Sequence, residues 1–291
     1  MHTLQNNTYQ ISVQEHGAEL CSFKNTQTNL EYIWQADPAI WARHAPVLFP
    51  MVGKLKNNQY TYQGKSYTLP QHGFARDQSF TLESKTENSL TFRLNQSEVT
   101  LANYPFDFGL FISYRLAENA LTISYRVENP RKDSLYFSLG AHPGFNCPLL
   151  PDEKFSDYYL KFEQPETLER YLLNNGLQNG QTEPVPLEND NQLPLTYKLF
   201  TEKDAIVLKN LRSEKISLRS KNHDHGLDFT FKGYPYLGIW TKGQDAPFIC
   251  LEPWHGIADS INSSGELTEK EGIITLPPNE VFTCEYIIAV K

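Results

Sequence analysis

Several protein classes are closed to this chain by what it lacks. It has only four cysteines, Cys21, Cys147, Cys250 and Cys284, set far apart and mostly in apolar runs, with no C-x-x-C pair. That spacing suits reduced thiols better than two disulfides. No apolar run approaches the ~20 residues needed to cross a bilayer. The start, Met1-His-Thr-Leu-Gln-Asn-Asn-Thr8, has neither the cationic nor the apolar region of a signal peptide. The expectation is a soluble, cytoplasmic protein without a membrane partner. Basic residues are scattered under a formal charge of −8, so no Lys/Arg block offers a nucleic-acid surface. One local arginine could still meet a small phosphorylated ligand. A glycine-rich phosphate loop, a G-x-G-x-x-G turn and a G-x-S-x-G nucleophile elbow are all missing. So are internal repeats, linkers and low-complexity stretches, and helical patterns are few.

What is present is period-2 alternation from end to end. Leu121, Ile123, Tyr125 and Val127 share one face of a strand, and Phe282, Cys284, Tyr286, Ile288 and Val290 repeat the pattern. Leu90 to Leu94, Ile216 to Leu218 and Phe229 to Phe231 add shorter cases. Such alternation sets one face on a core and one toward water, as in antiparallel sheets. Gln63-Gly64 is read as the turn of a hairpin, and His16-Gly17 as the link between two N-terminal strands. Pro38 to Arg43 is read as one or two helical turns. Pro165 to Leu173 suits a strand or a helix equally, and Asn174 to Asn191, the most polar region, reads as a long connection. The fold expected is all-β, one large antiparallel β-sandwich forming a single domain over 1–291. A chain of 291 residues is ample for its core.

Polar reactive groups gather in five segments that also carry Gly, Pro and aromatics. These are Phe49 to Leu55, Gln71 to Asp77, Ser138 to Asn146, Tyr234 to Thr241 and Pro247 to Asp259. Loops on a rigid sheet are where binding groups collect. The mixture suits sugars, because aromatic faces stack on pyranose C–H surfaces while charged and amide groups bond hydroxyls. Glu252 is the most informative of these residues. It lies between an apolar run and Pro253-Trp254, where lost hydration lifts a carboxyl pKa toward the range useful for proton transfer. A solvated glutamate at a strand end is the plain alternative. His142, between Ala141 and Pro143, is its natural partner. A lone histidine such as His142 or His72 could be structural, Arg76 and Asp77 could simply offset each other, and Trp240 and Trp254 could be core aromatics. His223-Asp-His225 with Asp228 nearby resembles a metal pair, but no third ligand stands at a completing spacing, so no metal site is expected.

These segments, in their order and spacing, resemble the aldose 1-epimerase (galactose mutarotase) family, in its LacX-like branch. The resemblance runs from Gly17-Ala-Glu-Leu20 to Glu252 through Asp259 and covers nearly the whole chain. It implies a galactose-mutarotase-type supersandwich with a cleft across one sheet. The implied activity is isomerisation of a hexose between α and β anomers, without metal or organic cofactor. The family's base falls on Glu252 and its acid on His142. His72 matches a second, sugar-binding histidine, and Arg76 and Trp240 are carried as substrate contacts. The family's V-G-R arginine falls on Lys54, which cannot make a planar two-pronged contact. The family's sugar-binding aspartate falls on neither Asp204 nor Asp228 clearly.

Rival readings stand beside this one. A neighbouring branch acts on hexose 6-phosphates and holds the phosphate with arginines, for which Arg76 and Arg43 are the candidates. A non-catalytic carbohydrate-binding or regulatory protein on the same fold has no need of a matched Glu252 and His142. Glycoside hydrolysis wants two flanking carboxylates, and only Asp259 offers itself beside Glu252. The partner expected is a small sugar, free or phosphorylated, bound by a monomer or homodimer.

Overall fold

The computed structural model describes residues 1–243 and 245–291. The alternating segments become strands close to their expected bounds. Ala120–Glu128 buries Leu121, Ile123, Tyr125 and Val127. It pairs along its whole length with Gly109–Ala117 on one side and Val281–Val290 on the other. These three belong to a nine-stranded antiparallel sheet. Beyond Val281–Val290 it continues through Gly226–Thr230, Lys215–Ser220 and Tyr158–Phe162 to Gln192–Pro194. Beyond Gly109–Ala117 it ends with Ser89–Asn95 and Thr81–Lys85.

A second sheet of eight strands faces it. Its order is Leu177–Val185, Leu168–Asn174, Ile206–Lys209, Tyr236–Trp240, Phe248–His255, Leu139–Ala141 and Val47–Leu48, with Gly144–Asn146 also pairing on Phe248–His255. The inward faces of both sheets feed one apolar cluster. Phe145 of one sheet meets Phe229 of the other edge-on, with ring centroids 5.9 Å apart. Alternation on both sheets thus produces the β-sandwich, because each sheet has one face that is stable only when covered.

Local chemistry sets the connections. Gln63 and Gly64 both take positive φ, 51° and 74°, the turn that matches strand twist in a two-residue hairpin between Gln59–Tyr62 and Lys65–Thr68. His16-Gly17 lies in the loop joining Tyr9–Val13 to Leu20–Asn25. The segment from Pro38 is a single turn, not a helix: the Asp37 carbonyl accepts from the N–H groups of Ile40 and Trp41. Leu168–Asn174 is a strand. The polar region after it is no long connection. Leu177–Val185 is itself a strand, joined by Asn175 and Gly176 at φ 50° and 80°. It is polar because it is an edge strand whose side chains are mostly solvated. Among the described residues no helix is long and apolar enough to cross a membrane.

One strand departs from one-sided burial. Phe248–His255 sends Ile249 and Leu251 into the central core. Its opposite side, with Phe248, Cys250 and Trp254, belongs to two separate apolar clusters. A strand covered on both faces reads as a near-continuous apolar run, and Glu252 is the one acidic side chain in it. Glu252 shares the outer face with Cys250 and Trp254, and that face floors the cleft.

Candidate active site

A cavity of about 270 Å³ opens on the outer face of the eight-stranded sheet. Its floor depends on two glycines. Gly140 pairs with Trp254, and Gly238 pairs with Glu252. A Cβ on Gly238 would lie 2.4 Å from the Trp254 ring, and one on Gly140 would lie 2.7 Å from it. The indole fits because neither neighbour has a side chain, and Glu252 has no side chain opposite it on Tyr236–Trp240. Trp254 lines the cavity beside Glu252.

His142 follows the Leu139–Ala141 strand, and its N–H donates to the Pro46 carbonyl. Its ring lies between aromatics. Trp41 is tilted against it at 5.0 Å, and Trp240 and His72 meet it edge-on at 5.5 and 5.7 Å. Its Nε2 stands 3.2 Å from Glu252 Oε1. Glu252 is 2% exposed and His142 8%.

His72 is held by backbone. It adopts φ 68°, a left-handed conformation costly to a residue with a Cβ. Its N–H donates to the Gly53 carbonyl, and its Nδ1 accepts from the Gly53 N–H at 3.1 Å. Nδ1 is therefore committed as acceptor, and the proton of the neutral ring belongs on Nε2, from which the Gln71 side-chain amide can accept only by turning its oxygen toward the ring. Arg76 leaves the short turn Ala75–Asp77 and donates from Nη2 to the Gln71 carbonyl at 2.7 Å. Its Nε is buried without a hydrogen bond among the described residues, 3.8 Å from the Asp77 carboxylate, and the side chain lines the cavity.

Burial dominates the electrostatics. It lowers the His142 imidazole to about 3, and the Arg76 and Arg43 charges push the same way. Burial also pushes the Glu252 carboxyl well above the ordinary carboxylate range. The Trp254 N–H works against this by favouring the charged form, and the Asp204 carboxylate adds to it. That N–H faces the carboxylate without completing a hydrogen bond to it. His72 is kept neutral by burial and by its cationic neighbours. The His142–Glu252 pair consequently favours holding one proton, and in that form it carries no net charge. Titration belongs to the pair rather than to either member.

Five of the seven expected residues meet at the cavity: Glu252, His142, His72, Arg76 and Trp240. The other two do not line it. Arg43 donates to Asp77 at 2.8 Å, and Lys54 Nζ reaches the Asn175 carbonyl at 3.1 Å. Both long side chains satisfy their charge outside the cavity. Asp259 is no second carboxylate for hydrolysis, because it is sealed in an ion pair with Lys270 at 2.9 Å. The two histidines of the H-x-H segment turn to different partners. His223 bonds Glu153 at 2.8 Å, and His225 meets the Lys291 carbonyl at 3.3 Å. Among the lining residues that sequence reasoning did not assign to the site are Trp41, which it missed, and Asp204, which it weighed beside Asp228 without assigning. Asp228 lies on the other sheet with Ser217 and Arg219, so Asp204 is the aspartate that reaches the cavity.

The family model described as aldose 1-epimerase matches residues 1–275. The chromosomal LacX protein of Lactococcus lactis is 36% identical over 99% of this chain and 98% of its own. A galactose mutarotase related enzyme from Lactobacillus acidophilus superposes with a TM-score of 0.95 at 37% identity, over 100% of this chain and 97% of that one. A galactose mutarotase-like protein from Lactobacillus casei superposes with a TM-score of 0.93 at 35% identity, over the full length of both.

Proposed function

The chain belongs to the aldose 1-epimerase family, and from that premise we propose that it interconverts the α and β anomers of a hexose by ring opening. The observation that carries this reading is the contact between His142 Nε2 and Glu252 Oε1 at the wall of a cavity of monosaccharide scale. Glu252 accepts the proton of the anomeric O1 hydroxyl. His142 gives its proton to the ring O5. The C1–O5 bond breaks with its electron pair passing to O5, and C1=O1 forms. Rotation about C1–C2 presents the other face of the aldehyde, and the two transfers run in reverse.

The neutral pair suits this cycle. A proton on Glu252 in the empty site and a proton on His142 in the loaded one are two forms with the same proton count. A sugar that donates from O1 and accepts at O5 favours the second form, so no proton is drawn from solvent. Each group contributes about 10²–10⁴-fold. His72, Arg76 and Asp204 bond the remaining hydroxyls, and Trp41 and Trp240 cover the apolar side of the ring.

A second reading, a hexose 6-phosphate as substrate, is favoured by Arg76 alone, whose side chain lines the cavity with its buried Nε making no hydrogen bond. The test is anomer exchange followed by NMR with glucose, galactose and their 6-phosphates. Acceleration with a free hexose supports the first reading, and acceleration confined to the phosphates supports the second. Rates equal to buffer with all four overturn both.

A further inference from the structure

Behind the catalytic pair lies a third donor that ring opening does not use. Cys250 is two residues before Glu252 on the same face of Phe248–His255 and is fully buried. Its Sγ, a His142 ring nitrogen and a Glu252 carboxylate oxygen all lie within 4.8 Å of one another. Among the described residues this is the one group of three such donors gathered in this way. We propose that these three side chains form an inhibitory site for a single thiophilic divalent cation of the zinc class. The inference rests on the catalytic assignment of Glu252 and His142 for its inhibitory consequence, but not for the binding itself.

The donor set selects the ion. One thiolate, one imidazole and one carboxylate are the ligands that zinc and cadmium take in four-coordinate sites, and they suit magnesium or calcium poorly. Three protein donors leave a fourth position, which faces the cavity for water or a sugar hydroxyl. Charge complementarity agrees. A dication placed among these groups takes both anions as partners and reverses the preference for neutral forms that burial otherwise imposes. The entry path is the cavity, because His142 and Glu252 line it and Cys250 sits beside them. Packing holds Cys250 in place between Gly144 and Trp240, its register partners on the two flanking strands. Once bound, the cation occupies the Glu252 oxygen that would take the O1 proton and the imidazole that would protonate O5. The site is then blocked without any change of fold.

The probes are Zn²⁺ and Co²⁺ added to chelator-treated protein, with Mg²⁺ as control. Anomer exchange should fall at micromolar Zn²⁺, recover with EDTA and be unaffected by Mg²⁺. Cys250→Ala should keep its basal rate and need about tenfold or more Zn²⁺ for half inhibition, as loss of one ligand requires. Co²⁺ should give a thiolate charge-transfer band in the parent that Cys250→Ala and Cys250→Val both lose. Equal Zn²⁺ sensitivity of parent and Cys250→Ala overturns the proposal, as does a cobalt band that survives in a folded Cys250 variant or never forms in the parent. A protein with the band but no anomer exchange would refute the function proposed above and leave the cation site standing.

Discussion

His142 Nε2 and Glu252 Oε1 are 3.2 Å apart, and both side chains are almost wholly removed from water. Glu252 stands on Phe248–His255, and His142 in the two-residue link between Leu139–Ala141 and Gly144–Asn146, both of which pair with that strand, so the backbone ladder on either side of the link fixes their separation. Burial makes charge costly on each of them, and their contact lets one proton serve both. The reactivity assigned to the site and its cost in stability come from this one arrangement.

Glu252→Gln should fold and lose about 10²–10⁴-fold in turnover. The variant should also be the more stable protein at neutral pH. A carboxyl whose folded pKa is raised costs nothing below its unfolded value of ~4.3 and costs progressively more as pH rises toward the folded value. Gln carries no such cost. Thermal melts from pH 4.5 to 8 should show the variant's advantage growing with pH. A variant that gains no stability with rising pH would contradict the buried, proton-retaining carboxyl.

The acid limb of kcat/KM should lie well below the ~6.5 of an ordinary histidine. A second proton on the pair leaves Glu252 unable to act as base, and that proton must go to an imidazole whose pKa burial has lowered to about 3. Rates measured down to the edge of acid unfolding should stay flat through pH 6.5. A half-maximal rate near 6.5 would mean that His142 is hydrated.

Asp204→Asn should raise KM by about tenfold or more, the loss expected for a charged hydrogen bond to a sugar hydroxyl. It should also move the alkaline limb to lower pH, because the Asp204 charge helps hold the Glu252 carboxyl up. A pH profile of the variant reads both effects. A KM change with no movement of the limb would place Asp204 electrically apart from Glu252.

Lys270→Met should destabilise by about 3–5 kcal/mol, because it leaves the Asp259 carboxylate buried and unpaired. Lys270 Nζ also donates to the Ile257 carbonyl, and Ile257 and Ala258 wall the cavity. Urea titration reads the stability. Sugar affinity measured at low temperature should fall as well, since the same ion pair holds that wall.

Glu252 was legible because a strand covered on both faces spells an apolar run, and an acid inside such a run is conspicuous. Most of the nine-stranded sheet was legible through strict alternation. Leu177–Val185 was not, because an edge strand with solvated side chains has the composition of a loop. Arg43 and Lys54 stood near the right segments, but a long cationic side chain can turn toward any acceptor within several ångströms. Asp77 and the Asn175 carbonyl were the nearer ones. Trp41 carried no local signal, and nothing local separated Asp204 from Asp228. Trp41 reaches the cavity through packing against Phe248, 5.2 Å between centroids, and Asp204 through the approach to Ile206–Lys209. Both placements are long-range results that neighbouring letters do not encode.

The strand Phe248–His255 has the sandwich interior on one side and the candidate-site cavity on the other. Such a site has no separate melting step. Opening it locally would strip Ile249 and Leu251 from the interior at the same moment, so loss of catalysis on heating and loss of the fold should trace one curve. The Glu252 amide proton should then be among the slowest in the molecule to exchange with solvent.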